Sequence, residues 1–269
     1  MNDALQNICN EIQKYGEVII GTRSSELEIV GKQENRAQIV IAPAPSKSID
    51  NISVSLQATI YTKLYDVRGC ALLPDGRMMF SSYNQKCVRV FNRNGSQDCD
   101  ISLKANGAFN ITYIHDNNTI AVTGRNNQHI SIIDLKSRKV KETVPVGSDN
   151  TGIVSRNNTL IYCSYNRGIQ MINLTDRSIS NIITTKISPY AYIATFGDKL
   201  YYTNYSTHTV TCCDLHGTIQ WEFKDESVLS YPHGISVDNA GNVYVVGFSS
   251  DNVVVISPDG QRRRQLLSR

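Results

Sequence analysis

The stretch YPHGISVDNAGNVYVVGFSSDNVVVISPDGQ, residues 231–261, decides the fold of this chain. It contains three short runs rich in Val, Ile and Tyr, separated by the polar turns NAGN, SSDN and PDG. Alternating β-branched residues bounded by Gly, Asn, Asp and Pro predict antiparallel strands joined by tight hairpins. A fourth strand, QRRRQLL, is predicted over residues 261–267.

The same arrangement occurs five times, and two independent markers keep its period. The turn after the first strand falls at Gly76, Asn118, Asn158, Asp198 and Gly241. The residue that closes the third strand falls at Asn92, Asp134, Asn173, Asp214 and Ser257. Both series repeat every 39–43 residues, and four short antiparallel strands with such a period are typical of a β-propeller blade. The sequence therefore predicts an all-β propeller with five recognisable blades.

The beginning of the chain differs from the repeats. Residues 1–15 carry an apolar seam spaced 3, 4 and 3 residues apart, which predicts the end of a coiled-coil helix: Leu5, Ile8, Ile12 and Tyr15. Residues 16–50 are predicted to be a spacer, because Pro43 and Pro45 exclude a helix near its end. Residues 51–269 are predicted to form the propeller domain.

Apolar residues alternate with polar ones over residues 52–60, which predicts one more strand before the first blade. The fifth repeat already has a fourth strand of its own, so this extra strand has no partners within the chain. We expect it to belong to a sixth blade whose other three strands lie beyond Arg269, which would make the chain a fragment of a longer protein.

Composition and cysteine usage exclude several classes of protein. The chain has 269 residues, of which 41% are hydrophobic and 19% charged, and its net charge is +3. No apolar run approaches the ~20 residues of a membrane helix, and the N-terminus lacks the apolar stretch of a signal peptide. Seven cysteines occur without any C-x-x-C pair, so we interpret them as reduced thiols, most of them in the core. These observations predict a cytoplasmic protein.

The quoted repeat resembles the NHL repeat, strongly in residues 231–261, fairly in residues 67–92 and weakly in the three middle copies. The run GCALLPDGRMMFS, residues 69–81, resembles the first blade of invertebrate tripartite-motif (TRIM) proteins of the NHL class. This resemblance implies a RING, B-boxes and a coiled coil followed by a propeller that selects a protein or an RNA for a ubiquitin ligase. RING and B-box zinc sites need closely spaced Cys/His pairs. This chain has none, so we expect it to be non-enzymatic.

The loops after the second strand and before the first strand share one face of a propeller, and here they collect aromatic and basic residues. The candidate partner-binding residues are Tyr83, Lys86, Arg125, Tyr165, Arg167, Tyr205, His208, Tyr231 and Phe248. The same loops also carry His129, Tyr190, Tyr192 and His233. An aromatic residue recurs at one blade position in four copies, with Gly124 as the exception. Two interpretations remain open: a ligand platform, or packing of a repeated aromatic residue between blades.

Three functions are compatible with these residues, and we expect no cofactor for the first two. The first is a protein-recognition module that selects targets for a TRIM-type ubiquitin ligase and oligomerises through an upstream coiled coil. The second is a single-stranded RNA binder that represses its transcripts. The third is a zinc-dependent lyase, if His129, His208 and His233 converge; we expect no metal. The basic run at residues 262–264 suggests RNA binding or nuclear import, or simply alternation on an outer strand.

Overall fold

The computed structural model describes residues 48–55, 59–103 and 107–268. The predicted coiled-coil helix and nearly all of the predicted spacer lie outside these residues. Twenty strands form five antiparallel sheets, each built from four consecutive strands in sequential order. The predicted five-bladed, all-β propeller is therefore confirmed. No helix in the described part of the chain is long and apolar enough to cross a membrane.

Each blade is numbered from its innermost strand outwards. The strands of blades 1 and 2 are β1 (Val67–Leu72), β2 (Met78–Ser82), β3 (Cys87–Phe91), β4 (Gln97–Ser102), β5 (Ile111–Ile114), β6 (Thr119–Thr123), β7 (His129–Asp134) and β8 (Lys139–Pro145). Those of blades 3 to 5 are β9 (Asn150–Arg156), β10 (Thr159–Ser164), β11 (Gly168–Asn173), β12 (Ile179–Ile183), β13 (Ile193–Phe196), β14 (Lys199–Asn204), β15 (Thr209–Asp214), β16 (Ile219–Lys224), β17 (Pro232–Val237), β18 (Val243–Gly247), β19 (Asn252–Ile256) and β20 (Arg263–Ser268). Two 3-10 turns cover Ile49–Asn51 and His115–Asn117.

In four of the five blades the polar residue that closes the third strand caps the turn that follows it, whereas Asn92 of blade 1 donates to Ser96 Oγ at 3.0 Å. Asp214 Oδ1 accepts hydrogen bonds from the backbone N–H groups of Thr218 and His216, at 2.9 and 2.8 Å. These bonds favour the charged carboxylate and lower the pKa of Asp214. Asp134 makes the equivalent bond to the backbone of Ser137. The recurring Asn, Asp and Ser therefore have a local cause: their side chains satisfy turn amides.

The turn after the first strand needs a left-handed backbone in every blade. The predicted position has it at four of the five markers: Gly76, Asn118, Asn158 and Gly241. In blade 4 the left-handed residue is Gly197, one position before the expected Asp198.

The core lies between the sheets. Hydrophobic clusters join blade 1 to 2, 2 to 3, 3 to 4 and 4 to 5. In the last of these, Tyr201 and Val210 of blade 4 pack with Ile235, Val245 and Val254 of blade 5. A single blade cannot bury both of its faces, so this stacking carries most of the hydrophobic stabilisation.

No hydrophobic cluster of the described residues joins blade 5 directly to blade 1. Residues 48–55 and 59–66, here called the strap, cover the two faces instead. Ile49, which is 1% exposed, packs with Ile52 on the Tyr244 face of blade 5. Ile60 packs on the face of blade 1 that carries Phe80. The strap thus fills the seam of the ring.

The strap contradicts the prediction of a strand over residues 52–60, since residues 52–55 and 59–66 contain no strand. Its carbonyl groups accept hydrogen bonds from arginines rather than from a neighbouring strand. Arg264 Nη1 donates to the carbonyls of Ile49, Asp50 and Ile52, at 3.1, 2.6 and 2.8 Å. At the other end, Arg89 Nη1 donates to the carbonyl of Thr62 at 2.7 Å. The sixth blade expected on the basis of that strand therefore loses its support.

The basic run at residues 262–264 follows the alternation of an outer strand. Arg264 holds the strap, and Arg262 Nη1 lies 3.3 Å from Asp50 Oδ2 on the same side. Arg263 faces the other way and pairs with Asp225 at 2.6 Å. The structural interpretation of this run is confirmed.

The cysteines and tyrosines of the core are held in their neutral forms. Among residues 48–268 as described, six cysteines occur, none of them in a disulfide, and five are buried. Burial raises the pKa of the Cys163 thiol well above its usual range. It also raises the pKa of Tyr201 and of Tyr244, and that of Tyr162 to about 12.

We expect stability to fall in alkaline solution because of these tyrosines. A tyrosine in the unfolded chain ionises near pH ~10, so the unfolded state loses its proton before the folded state does. The free energy of unfolding should be insensitive to this ionisation below about pH 9 and should fall by about 1.4 kcal/mol per pH unit per tyrosine above about pH 10. Urea titrations at several pH values measure it. Tyr162→Phe should flatten the decline, and an unchanged slope would contradict this assignment.

Candidate functional site

The turns between the second and third strands lie on one face of the ring. Each second strand runs antiparallel to the innermost strand, so its end lies beside the start of that strand. The turns therefore share this side with the connections between blades. Their first residues are half-buried aromatics in four blades: Tyr83, Tyr165, Tyr205 and Phe248. We call this side the aromatic face.

Arg125 holds the corresponding position in blade 2. Thr123 pairs with Ile130, so continuing the register places Gly124 opposite His129 and makes Arg125 the first residue of the turn. Gly124 is therefore not the exception predicted from the sequence. The blade that lacks the aromatic residue carries an arginine instead.

Aromatic rings gather where blades 4 and 5 meet, in a group we call the ring cluster: Tyr190, Tyr205, His208, Tyr231, His233 and Phe248. Tyr205 has its centroid 4.6 Å from Tyr231 and 5.2 Å from His233. Tyr190 lies 5.3 Å from Tyr205, and Phe248 is stacked 4.9 Å from His233. Such separations allow favourable aromatic contacts. The six rings therefore pack against one another, and the three tyrosines among them are half buried.

Cations lie over two of the rings of the aromatic face. The Arg125 guanidinium is 4.1 Å from the centroid of Tyr190, although the two belong to blades that are not neighbours. Lys186 Nζ is 4.3 Å from the centroid of Tyr165. Both distances are within the range of cation–π attraction. Arg167 and Lys86 are exposed in turns of the same face, whose turns and connections also carry Asp149, Asp225 and Asp251.

Each recurring tyrosine also packs against the connection to the next blade. A Cβ on Gly107, which lies before blade 2, would meet the Tyr83 ring at 2.5 Å, and the Tyr83 hydroxyl accepts a hydrogen bond from Asn126 at 2.9 Å. Tyr165 contacts Lys186, and Tyr205 contacts Tyr231, in the same way. The packing interpretation therefore holds for these three rings, and their exposed portions remain accessible from the aromatic face.

Buried rings fill the centre of the propeller at this face. Phe109 and Tyr192, 1% and 2% exposed, have centroids 5.7 Å apart. The Tyr192 hydroxyl donates to the carbonyl of Arg68 at 2.8 Å, from blade 4 to blade 1, and His233 lies 5.8 Å from Tyr192. These contacts join non-adjacent blades across the axis, so the central channel is closed at the aromatic face.

The candidate residues do not all meet. Tyr205, His208, Tyr231 and Phe248 join the ring cluster, and Arg125 reaches it through Tyr190. Lys86, Tyr83, Tyr165 and Arg167 lie in the turns of blades 1 and 3. The Tyr231 backbone N–H donates to His208 Nδ1 at 3.3 Å, which holds the histidine beside the Tyr231 ring.

The three histidines of the lyase hypothesis do not form a metal site. Within residues 48–55, 59–103 and 107–268, no three His, Cys, Asp or Glu side chains are grouped as a metal ion would require. His233 is 2% exposed and surrounded by rings, whereas the His208 ring lies 4.2 Å from the Tyr231 ring, tilted by 54°. The convergence with His129 that the hypothesis needs is absent from these residues.

Sequence reasoning missed Phe109, Asn126 and Lys186. Lys186 lies in the connection between blades 3 and 4, and nothing in its neighbourhood marks it as the partner of Tyr165. Phe109 lies two residues before β5, whereas Tyr192 directly precedes β13, so the register of the innermost strands matches Tyr192 with Asn110 and Phe109 with Ala191. The two rings therefore occupy different repeat positions, and no repeated aromatic residue marks them in the sequence.

Comparisons with known proteins agree with the fold. A family model described as a β-propeller repeat (SBBP) matches residues 225–252. The chain is similar to a solved structure of a nidogen/laminin complex, with a TM-score of 0.67 and 14% identity over 74% of this chain and 79% of that one. It is similar to virginiamycin B lyase from Staphylococcus aureus, with a TM-score of 0.61 and 19% identity over 74% of this chain and 69% of that one. A protein of unknown function from Bacteroides thetaiotaomicron gives 0.63 and 13%, over 74% and 57%.

No curated protein matches the sequence. At identities below one fifth, the structural similarities show the propeller fold and leave the function to be argued from the face itself.

Proposed function

We propose that this chain is a non-enzymatic recognition module that binds a protein partner on the aromatic face. The observation that carries the proposal is the ring cluster together with its cations: Tyr190, Tyr205 and Tyr231 are half buried, and Arg125 lies over one of them. Rigid tyrosines next to arginine are the side chains that dominate binding energy at protein interfaces. A nidogen/laminin complex contains a similar fold, which is consistent with a propeller acting in protein recognition.

Four cations of the aromatic face indicate which groups a partner presents to them. They are Lys86, Arg125, Arg167 and Lys186. Opposite charges across an interface raise the association rate and exclude wrong partners. We therefore expect carboxylates of the partner opposite these cations, with an apolar group that contacts the tyrosines.

Reversing two charges of this face should abolish capture of the partner. The double variant Arg125→Glu, Arg167→Glu is expected to weaken binding at least tenfold, since it removes the cation over Tyr190 and repels the carboxylates of the partner. Quantitative capture from cell extract by immobilised full-length chain, followed by titration of the purified partner, measures the effect.

A matched control keeps the net charge equal. Arg138 and Arg177 lie in turns on the opposite face and form exposed ion pairs with Asp98 and Glu142, at 3.0 and 2.6 Å. Arg138→Glu, Arg177→Glu should bind like the wild type, because exposed pairs contribute little to stability. Equal capture by both double variants would argue against this face.

A second candidate is single-stranded RNA, favoured by the two cation–ring pairs, because bases stack on aromatic rings beside basic side chains. The two candidates are distinguished by salt and nuclease. Binding of a labelled oligouridylate should fall steeply with rising salt if RNA is the ligand. Capture that survives ribonuclease indicates a protein.

We further propose that, in a longer cytoplasmic protein of tripartite-motif type, this module selects the target of an upstream RING and oligomerises through a coiled coil. The resemblance of residues 69–81 and 231–261 to the NHL class supports the proposal. A RING fused upstream should ubiquitylate the captured partner, and the fusion that carries Arg125→Glu, Arg167→Glu should not.

A further inference from the structure

The central channel is open on the face opposite the aromatic face, where it forms a cavity of about 430 Å³. Residues of the innermost strands β1, β5, β9, β13 and β17 line it, so all five blades contribute. Its volume is within the range of small-molecule sites in proteins. The cavity is separate from the aromatic face, so a ligand bound in it would be independent of the proposed function.

The lining carries no carboxylate, ammonium or guanidinium group. Of its twenty residues, none is Asp, Glu, Lys or Arg, and His115 is the one imidazole. A charged ligand would leave water for a cavity whose lining holds no permanently charged side chain, and such desolvation is costly. The cavity therefore selects against ions and favours an uncharged molecule.

The uncharged wall nevertheless offers hydroxyl and amide groups around the mouth. These polar lining residues are Thr112, Ser155, Thr195, Ser236 and Asn239. The backbone N–H of Ser155 donates to Thr112 Oγ1 at 3.1 Å, between blades 3 and 2, and so fixes the position of that hydroxyl. Hydroxyl side chains can donate and accept at once, which suits a ligand that itself carries hydroxyls.

Two aromatic residues, Phe196 and Tyr113, also line the cavity. Phe196, at the end of an innermost strand, lines the cavity and is 38% exposed. Tyr113 also lines it, held edge-on by His115 with centroids 5.0 Å apart. Apolar side chains such as Ile153 and Val237 supply the remaining wall.

We propose that this cavity binds a neutral saccharide of one or two sugar units. A pyranose has an apolar C–H face and a rim of hydroxyls, and the cavity pairs aromatic and aliphatic surface with uncharged hydroxyl and amide groups. Because no Asp, Glu, Lys or Arg is among the lining residues, we expect neutral sugars to bind in preference to phosphorylated or acidic ones.

The test is titration of the full-length chain with glucose, galactose, mannose, N-acetylglucosamine, maltose and cellobiose, by saturation-transfer NMR and calorimetry. At least one should bind saturably, whereas glucose 6-phosphate and gluconate should not. Thr195→Val, which removes one hydroxyl at nearly constant volume, should weaken binding about two- to tenfold. Phe196→Ala should weaken it similarly by removing the exposed ring.

Ile219→Ala is the control, because Ile219 is an exposed apolar residue of the same blade, 58% exposed on β16, and is not part of the lining. It should leave the affinity unchanged. The proposal is overturned if none of the six neutral sugars binds at tens of millimolar, if the charged sugars bind equally well, or if Thr195→Val and Phe196→Ala both bind like the wild type.

Discussion

Replacing Arg264 by alanine is expected to lower the free energy of unfolding by about 2–4 kcal/mol, because one guanidinium nitrogen holds three carbonyls of the strap. Without it, the Ile49–Asn51 turn loses its anchor on β20. Ile49 and Ile52 would then leave the Tyr244 face of blade 5 open to water. A single outer-strand side chain thus controls the burial of a whole sheet face.

Arg263 provides the control for this experiment. It directly precedes Arg264 on the same strand and points to the other side. Its side chain is 44% exposed and pairs with Asp225 at 2.6 Å. Arg263→Ala should cost less than about 1 kcal/mol, as exposed ion pairs usually do. Urea unfolding of both variants measures the difference. Equal losses would show that the strap does not depend on Arg264.

Gly168→Ala, at the first residue of β11, is expected to cost about 3 kcal/mol or more. Gly168 has φ +80°, and a Cβ there would overlap the carbonyl oxygen of Ile183 on β12. The substitution therefore adds a backbone strain of about 1 kcal/mol to a clash with main-chain atoms that cannot move away independently. Lys86 and His208 precede the third strand in their own blades with φ +51° and +60°, so the conformation alone does not require glycine.

Gly197→Ala separates the two contributions. Gly197 has φ +57°, and a Cβ at this position would have no other atom within 4 Å, so only the backbone strain remains and the cost should be about 1 kcal/mol. Thermal or urea unfolding of the pair reports the difference directly. If Gly168→Ala lowered the free energy of unfolding no more than Gly197→Ala, the close approach of β12 would make no contribution to the cost.

The repeat made the fold predictable, because each of its markers has a local physical cause. Asp214 and its equivalents satisfy turn amides, and Gly76 and its equivalents supply the left-handed backbone. Such short-range requirements are readable from sequence order alone. Five copies of them leave little freedom for another architecture.

The strap was not predictable in the same way. Ile52 and Ile60 alternate with polar neighbours as a strand would, and the pattern says nothing about where the carbonyl groups find donors. Those donors are Arg264 and Arg89, far apart in the sequence and in different blades. Whether the strap carbonyls accept hydrogen bonds from a neighbouring strand or from side chains depends on such distant residues.

The site was predicted at the level of a face and not of individual contacts. Loop position placed Tyr205, Tyr231 and His208 on one side, and the structure brings them together. Arg125 contacts Tyr190, although their blades are not neighbours in the ring. The spacing of residues along the sequence does not reveal such contacts.

Phe109, Tyr192 and His233 close the central channel at the aromatic face, so the cavity has one opening. A solute that enters by the wide mouth has to leave by the same mouth, and a macromolecule seated at the other end cannot displace it. The two proposed sites can therefore be occupied at the same time, each with its own rates of association and dissociation.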